Sequence, residues 1–136
     1  MAEILAPKGY TVAKKDVPMT TMGGYRAQWV EWAGYALAME VVPKGFPPGG
    51  EKAFEGLPSE LCQCPHWGYV LKGKMGLRLK DGTVTEINAG DFYYAPPGHR
   101  IFAIDDFENI EFNPAQQAKQ TMDVFAANIR KARGET

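Results

Sequence analysis

The chain has 136 residues, of which 45% are hydrophobic and 23% charged, which favours one domain with a substantial core. Fifteen basic side chains face sixteen acidic ones, and without a basic stripe this balance argues against nucleic acid as a partner. No apolar run reaches the roughly 18 residues of a membrane span, and the first residues lack the apolar stretch of a signal peptide. We therefore expect no membrane partner and a cytoplasmic location.

The first half of the chain predicts irregular structure followed by two strands. Residues 1–24 are interrupted by glycine and proline. Residues 26–32 are rich in aromatic side chains and predict a strand, and Gly34 then turns the chain into a second strand at residues 35–42. The second strand alternates, so its large odd-numbered side chains are expected to share one face. These side chains are Tyr35, Leu37, Met39 and Val41.

The second half of the chain predicts closely spaced short strands. Their boundaries come from turn signals: Gly73, the Asp-Gly pair at residues 81–82, the Pro-Pro-Gly at residues 96–98 and the acidic pair at residues 105–106. The predicted strands are residues 61–71, 75–79, 84–87, 92–95, 101–104 and 110–112. Hairpins at this spacing favour an all-β barrel or jelly roll.

The last part of the chain predicts one helix. Asn113 is a favourable N-cap, and Pro114 suits the first helical position. Apolar side chains then recur at helical spacing until the basic residues near the end. We expect a helix over about 114–132 that packs outside a barrel formed by residues 25–112, within a single domain spanning residues 1–136.

Four side chains that bind metals well are grouped in the sequence. Cys62, Cys64 and His66 alternate along a segment predicted as a strand, so they are expected to point to one face. His99 follows a rigid turn at the edge of a later strand, from which it can face the other three. Two thiolates and two imidazoles form a ligand set typical of zinc, and they disfavour magnesium and calcium.

Two other interpretations of these residues stay open. Cys62 and Cys64 can be small buried hydrophobic residues, with His66 and His99 as ordinary hydrogen-bonded histidines. The cysteines can also be a redox pair, although their spacing differs from Cys-x-x-Cys. A disulfide is not expected, because residues two apart in an extended chain hold their Cβ atoms roughly 6–7 Å apart.

Four further residues are candidates for a ligand pocket. Glu60 is a possible general base beside a metal, Tyr94 a possible proton donor and Arg100 a possible anion clamp. Trp67 is the fourth candidate. Tyr94 and Arg100 can equally be surface residues, and Glu60, at a loop-to-strand boundary, can be solvated.

Two segments resemble the conserved motifs of the cupin family. Residues 66–73 (His-Trp-Gly-Tyr-Val-Leu-Lys-Gly) are similar to the second half of the first motif, G(X)5HXH(X)3–4E(X)6G. Residues 90–98 match the start of the second motif, G(X)5PXG(X)2H(X)3N. The resemblance covers roughly residues 60–112. It implies a small stand-alone cupin with a double-stranded β-helix, or jelly-roll barrel, and a C-terminal helix. By analogy of fold it also implies a homodimer.

The metal ligands depart from the cupin pattern. Aligned on Gly73, the first motif places its glutamate on His66 and its two histidines on Glu60 and Cys62. The second motif places its histidine on Ile101. The string Cys-x-Cys-Pro-His-Trp-Gly thus stands where His-x-His is usual. We expect the site to be rebuilt from other side chains, namely Cys62, Cys64, His66 and His99.

The sequence therefore predicts a metal-binding cupin, with zinc as the expected cofactor and an apolar pocket for a small organic molecule. In one version four ligands close around a structural metal. The alternative is a metal-dependent enzyme of the isomerase, lyase or oxygenase class, in which three ligands leave one position open and the metal acts as a Lewis acid. A third version is a binding domain without metal. No catalytic residue is assigned, and whether the protein is an enzyme stays open.

Overall fold

The chain folds into strands joined by short turns, followed by one long helix, as seen in a computed structural model that describes residues 3–134. The strands are β1 (Ile4–Leu5), β2 (Met19–Met22), β3 (Tyr25–Trp32), β4 (Tyr35–Val42), β5 (His66–Leu79), β6 (Val84–Asn88), β7 (Phe92–Ala95) and β8 (His99–Pro114). Helix α1 spans Ala115–Ala132, and short 3-10 turns lie at Lys14–Asp16, Gly50–Phe54 and Pro58–Glu60. The prediction of a mostly β protein with one C-terminal helix is confirmed.

The strands form one mixed sheet in the order β1-β3-β4-β8-β5-β6, with β2 also paired to β3 and β7 also paired to β5. Only the β1–β3 pair is parallel among the described residues. β5 pairs with β8 from Trp67 opposite Phe112 to Leu79 opposite His99. β7 flanks the first half of β5 and β6 flanks the second half. Within residues 3–134 this hydrogen-bonded order does not close into a ring.

Gly73 lets β5 continue where the sequence predicts a break. Its φ is +82°, and a Cβ there would lie 1.7 Å from the carbonyl oxygen of Asp106. The register with β8 shifts on both sides of this point, which makes it a bulge. The predicted break at Gly73 and the predicted turn at residues 105–106 are therefore wrong. An antiparallel pair can bend at a bulge without ending.

The alternation of β4 places small side chains inside the sheet and large ones outside. Ala36 and Ala38 are fully buried, whereas Tyr35, Leu37 and Met39 are exposed. Ala38 lies opposite Trp29 of β3, which is 2% exposed, and a small residue leaves room for that indole. The large odd-numbered side chains share one face as predicted, and that face is the outer one.

Helix α1 begins one residue later than predicted, and Asn113 does not cap it. Pro114 occupies the N-cap position, while Asn113 is fully buried and its amide donates to the carbonyl of Ala36 at 3.4 Å. Asn128 of α1 connects the helix to the turn at Gly50–Phe54. Its side-chain amide donates to the carbonyls of Ala53 and Glu55 at 2.9 and 2.7 Å. Neither α1 nor any other described helix has the length and apolar character needed to cross a bilayer.

Candidate metal centre

Cys62 and His99 are held beside each other by a short backbone bridge. The amide of Cys62 donates to the carbonyl of His99 at 2.8 Å, and the amide of His99 donates to the carbonyl of Cys62 at 3.2 Å. The predicted strand at residues 61–71 begins only at His66, which opens β5 opposite Ala95. The prediction was too long because Pro65 lacks an amide hydrogen for a strand ladder.

Three of the four predicted ligands meet at one point. The donor atoms of Cys62, His66 and His99 lie within 4.8 Å of one another. The Cys62 Sγ is 3.6 Å from the His66 Nε2, and the two imidazole rings are 4.8 Å apart at 70°. Cys62 is 5% exposed and His99 is 1% exposed. A small displacement of these side chains would bring all three donors to metal-bonding distance.

Cys64 lies outside this three-residue group. It is buried and lines the same cavity, and its thiol donates weakly to the carbonyl of Pro65 at 3.6 Å. The sequence predicted that residues 62, 64 and 66 share a face because of strand alternation. The segment is not a strand, so this alternation does not apply to Cys64.

The other nitrogen of each imidazole is held by the protein. Nδ1 of His99 donates to the carbonyl of Pro96, which leaves its Nε2 unprotonated in the neutral ring. This Nε2 is buried and has no hydrogen-bond partner within residues 3–134. Nδ1 of His66 contacts the side-chain oxygen of Asn113 and lies 3.5 Å from a carboxylate oxygen of Glu111. Such partners orient metal-binding histidines, so both rings fit a metal bound through Nε2.

The electrostatics of the group favour a thiolate. Burial raises the pKa of Cys62, but the imidazoles of His66 and His99 outweigh it and lower the pKa to about 6. Burial lowers the pKa of His66, while the Glu111 carboxylate and the thiols raise it well above its usual range. Burial raises the pKa of Cys64. Cys62 is therefore the cysteine prepared to act as a thiolate ligand.

A cavity of about 100 Å³ opens beside the three ligands. Since a single water needs roughly 10–15 Å³ of such space, the cavity has room for a small organic molecule. Strands from both halves of the sheet and helix α1 contribute to its walls. Besides the two histidines, its aromatic lining consists of Tyr25, Trp29, Phe46, Phe54, Phe102, Phe107 and Phe125.

Two glutamates that the sequence analysis missed line the same cavity. The hydroxyl of Tyr25 donates to Glu40, and the amide of Asn109 donates to Glu40 at 3.0 Å and to the Tyr93 hydroxyl at 2.8 Å. The Tyr93 hydroxyl in turn donates to Glu111 at 2.7 Å. Burial, followed by the charge of Glu111, raises the pKa of Glu40 to about 8. One hydrogen-bonded network thus runs from Glu40 to the carboxylate beside His66.

Gly68 makes this network possible. A Cβ on Gly68 would lie 2.2 Å from the ring of Tyr93, so a larger residue would displace the ring that reaches Glu111. The sequence signal for the two acids was weak. Glu40 and Glu111 occupy inward positions of β4 and β8, but only the register of both strands shows that these positions face the cavity.

The four predicted pocket residues lie outside this cavity. Trp67 and Tyr94 are 44% and 51% exposed and pack against each other on the outer face. Glu60 is exposed, and its carbonyl accepts a hydrogen bond from Arg100. The guanidinium of Arg100 also forms an ion pair with Glu51 at 3.0 Å.

Strand alternation explains the outward positions of the two aromatic residues. His66 and Tyr93 point into the protein, so their chain neighbours Trp67 and Tyr94 point away from it. Glu60 precedes the extended segment and ends a 3-10 turn, which directs it to solvent. For Trp67 and Tyr94, the face of the sheet on which the side chain lies therefore decides whether the residue lines the cavity, and the sequence did not show which face that is.

Comparisons with known proteins identify the fold. Neither protein-family models nor curated proteins match the sequence. An RmlC-like cupin from Shewanella frigidimarina is similar in structure, with a TM-score of 0.60 and 15% identity over 82% of this chain and 96% of its own.

Two further solved structures agree. The polyketide cyclase RemF from Streptomyces resistomycificus has a TM-score of 0.53 and 20% identity, over 79% of this chain and 80% of its own. KdgF from Halomonas sp. has a TM-score of 0.52 and 15% identity, over 79% of this chain and 94% of its own. The chain therefore has the fold of the cupin superfamily.

Proposed function

We propose that the protein binds one zinc ion through Cys62, His66 and His99 and holds a small organic molecule in the adjoining cavity. The observation that carries the proposal is the buried Nε2 of His99, which lacks a partner within residues 3–134 and belongs to a converging group of three donors. Buried polar atoms of this kind require a partner, and a metal ion supplies one. A thiolate and two imidazoles suit zinc.

The proposal includes the architecture that encloses the site. Residues 25–112 would form a double-stranded β-helix, with β5 and β8 as the bent pair shared by both halves, within a single domain of residues 1–136. This arrangement is supported by a core cluster that joins residues of β3, such as Trp29, to Leu77 and Ile87 of β5 and β6. A cytoplasmic location and the absence of nucleic acid as a partner stay predictions.

A metal-dependent enzyme is the second candidate function. The observation that favours it is the number of converging donors, because three protein ligands leave a coordination position for water or substrate. Bound there, zinc would supply Lewis-acid polarisation of an oxygen atom on the ligand. The chain's own residues would exclude water through the aromatic walls and orient His66 through Asn113 and Glu111. If Cys64 instead joins as a fourth ligand, no coordination position stays open and the metal is structural.

Cobalt substitution tests the proposed ligand set. Co²⁺ added to the metal-stripped protein is expected to give a thiolate-to-cobalt charge-transfer band in the near ultraviolet, because Cys62 would coordinate it. The band should disappear in Cys62→Ser and persist in Cys64→Ser, which serves as the matched control. A band of about half the intensity in each variant would show two thiolate ligands and favour the closed site. No band in the wild type would contradict the proposal.

We also propose that the protein forms a homodimer through the outer face of the sheet. On this face, side chains of neighbouring strands lie opposite one another and form two rows that run across the strands. The first row is Leu5, Val30, Leu37, Phe112, Trp67 and Tyr94, and the second is Met19, Gln28, Met39, Ile110, Tyr69 and Phe92. Neither row contains a charged residue.

The size of this face fits a second copy of the chain. Tyr35, Trp67, Phe92, Tyr94 and Phe112 are 44–84% exposed. If about half of each aromatic side chain is open, these five residues alone expose roughly 500 Å² of apolar surface. A stable interface buries about 800 Å² per partner, and an uncharged, self-complementary patch suits a two-fold axis.

Phe112→Lys is expected to make the protein a monomer. The side chain is 45% exposed and lies in the middle of the first row, so lysine would place a charge at the centre of the interface without disturbing the core. Light scattering after size-exclusion chromatography measures the change. Val84→Lys, at a residue equally exposed on β6, is the control and should stay dimeric. A monomeric wild type would contradict this proposal.

A further inference from the structure

The cavity beside the candidate metal centre is lined by two acidic side chains and, among the described residues, by no lysine or arginine. The two acids are Glu40 and Glu111. An anionic molecule would therefore meet two carboxyl groups with no side-chain cation other than a histidine. A positively charged molecule would meet opposite charge in a low-dielectric setting, where the attraction is strong.

An unsatisfied acceptor lies next to Glu40. Asn109 is 1% exposed, and its amide nitrogen already donates to Glu40 and Tyr93. Its side-chain oxygen is buried and has no partner within residues 3–134, and Asn109 is one of the residues that line the cavity. A buried acceptor without a donor is unusual, and a ligand that carries N–H groups would satisfy it.

The remaining walls also suit a cation. Rings of Tyr25, Trp29 and Phe46 surround the same space, and aromatic faces attract ammonium groups when water is excluded. The indole N–H of Trp29 is buried and has no hydrogen-bond partner within residues 3–134. The aromatic lining would in turn cover an apolar ligand body.

We propose that the cavity binds a small organic amine, whose ammonium group is received by Glu40 and the side-chain oxygen of Asn109. This inference rests on the proposed function, in that it names the class of organic molecule the cavity holds. An ammonium group supplies three N–H donors and one positive charge. The donors would satisfy the side-chain oxygen of Asn109, and the positive charge would balance the carboxyl groups of Glu40 and Glu111.

Proton release accompanies binding in this arrangement. Glu40 faces Tyr25 of β3, Tyr93 of β7, His66 of β5, and Asn109 and Glu111 of β8, and its pKa is about 8. At neutral pH it is therefore protonated in the empty cavity, and an ammonium ion favours its carboxylate. An alkylamine stays cationic up to about pH 10, as lysine does. Affinity for the amine should thus rise about tenfold per pH unit until pH 8.

The test compares three probes of one shape: cyclohexylamine, cyclohexanol and cyclohexanecarboxylate. Titration calorimetry on the protein as purified, at pH 6.5 and 8.5, gives their affinities. At pH 8.5 the amine is expected to bind at least tenfold more tightly than the alcohol, and the carboxylate is not expected to bind. Between the two pH values amine affinity should rise roughly 20-fold, while alcohol affinity stays constant.

Glu40→Gln keeps the shape of the side chain and removes its charge. It should reduce amine affinity to that of cyclohexanol and abolish the pH dependence. Glu108→Gln is the matched control, because this glutamate pairs with Lys72 on the outer surface, and it should behave as the wild type.

Three outcomes would overturn the inference. Equal affinities for amine and alcohol would leave a cavity for organic molecules without preference for amines. A pH dependence that survives Glu40→Gln would mean that the amine binds the metal instead of the carboxylate. Failure of all three probes to bind would remove the organic ligand from the proposed function as well, whereas the metal site would still be judged by the cobalt spectrum.

Discussion

Glu40→Gln is expected to stabilise the folded protein at alkaline pH, by roughly 2–4 kcal/mol at pH 8.5, and to leave its stability unchanged at pH 4. The pKa of Glu40 is raised from 4.5 to about 8 in the folded protein, by burial and by Glu111. The folded state therefore holds a proton that the unfolded state releases, and stability falls as pH rises from 4.5 to 8. The full shift corresponds to about 5 kcal/mol, which the partial exposure of Glu40 reduces.

Urea unfolding at pH 4, 6 and 8.5 measures this effect as the difference between variant and wild type. Titration of Cys62 and His66 is common to both proteins and cancels to first order. Glu108→Gln on the outer surface should change stability by less than about 0.5 kcal/mol at every pH. A Glu40→Gln variant that is less stable than the wild type at pH 8.5 would show that Glu40 is ionised in the fold.

Zinc is expected to raise the melting temperature of the metal-stripped protein by roughly 10 °C or more. The ion would join the segment before β5, the start of β5 and the start of β8. Near Cys62, the first and the last of these are otherwise joined by a short backbone bridge. A ligand present at 1,000 times its dissociation constant stabilises a protein by about 4 kcal/mol, and each kcal/mol shifts the melting temperature of a domain this size by about 3–5 °C.

Differential scanning calorimetry with and without one equivalent of zinc measures this increment. Cys62→Ser should lose it, since a ligand is removed, while Cys64→Ser should keep it. Magnesium gives the comparison for a hard cation and should have no effect, because thiolate and imidazole ligands suit softer metals. A zinc increment that is equal in wild type and Cys62→Ser would place the stabilising ion elsewhere.

Local turn chemistry allowed much of the fold to be predicted. The Asp-Gly signal at residues 81–82 gave the hairpin between β5 and β6 because left-handed glycine is needed there. Gly73 was misinterpreted because the same conformation serves a bulge as well as a turn. Only the partner strand distinguishes the two, and pairing between β5 and β8 is not visible in a single sequence.

The candidate site was predictable in part for a similar reason. Cys62, His66 and His99 are rare residue types here, so their grouping attracted attention. Glu40 and Glu111 are two of sixteen acidic residues, and nothing in the sequence distinguishes an inward glutamate from a solvated one. Trp67 and Tyr94 were predicted as pocket residues, Tyr94 as a possible proton donor, yet one step of strand alternation places both outside the cavity.

The proposed metal centre is tested most directly by the metal content of protein purified without a metal-affinity tag. Mass spectrometry of the wild type should find about one zinc per chain. Cys62→Ser and His99→Ala should contain almost none, and Cys64→Ser should retain it, since three donors converge without Cys64. Wild-type protein that contains no metal, even after incubation with zinc and dialysis, would contradict the proposed centre and leave three buried side chains in a metal-free binding domain.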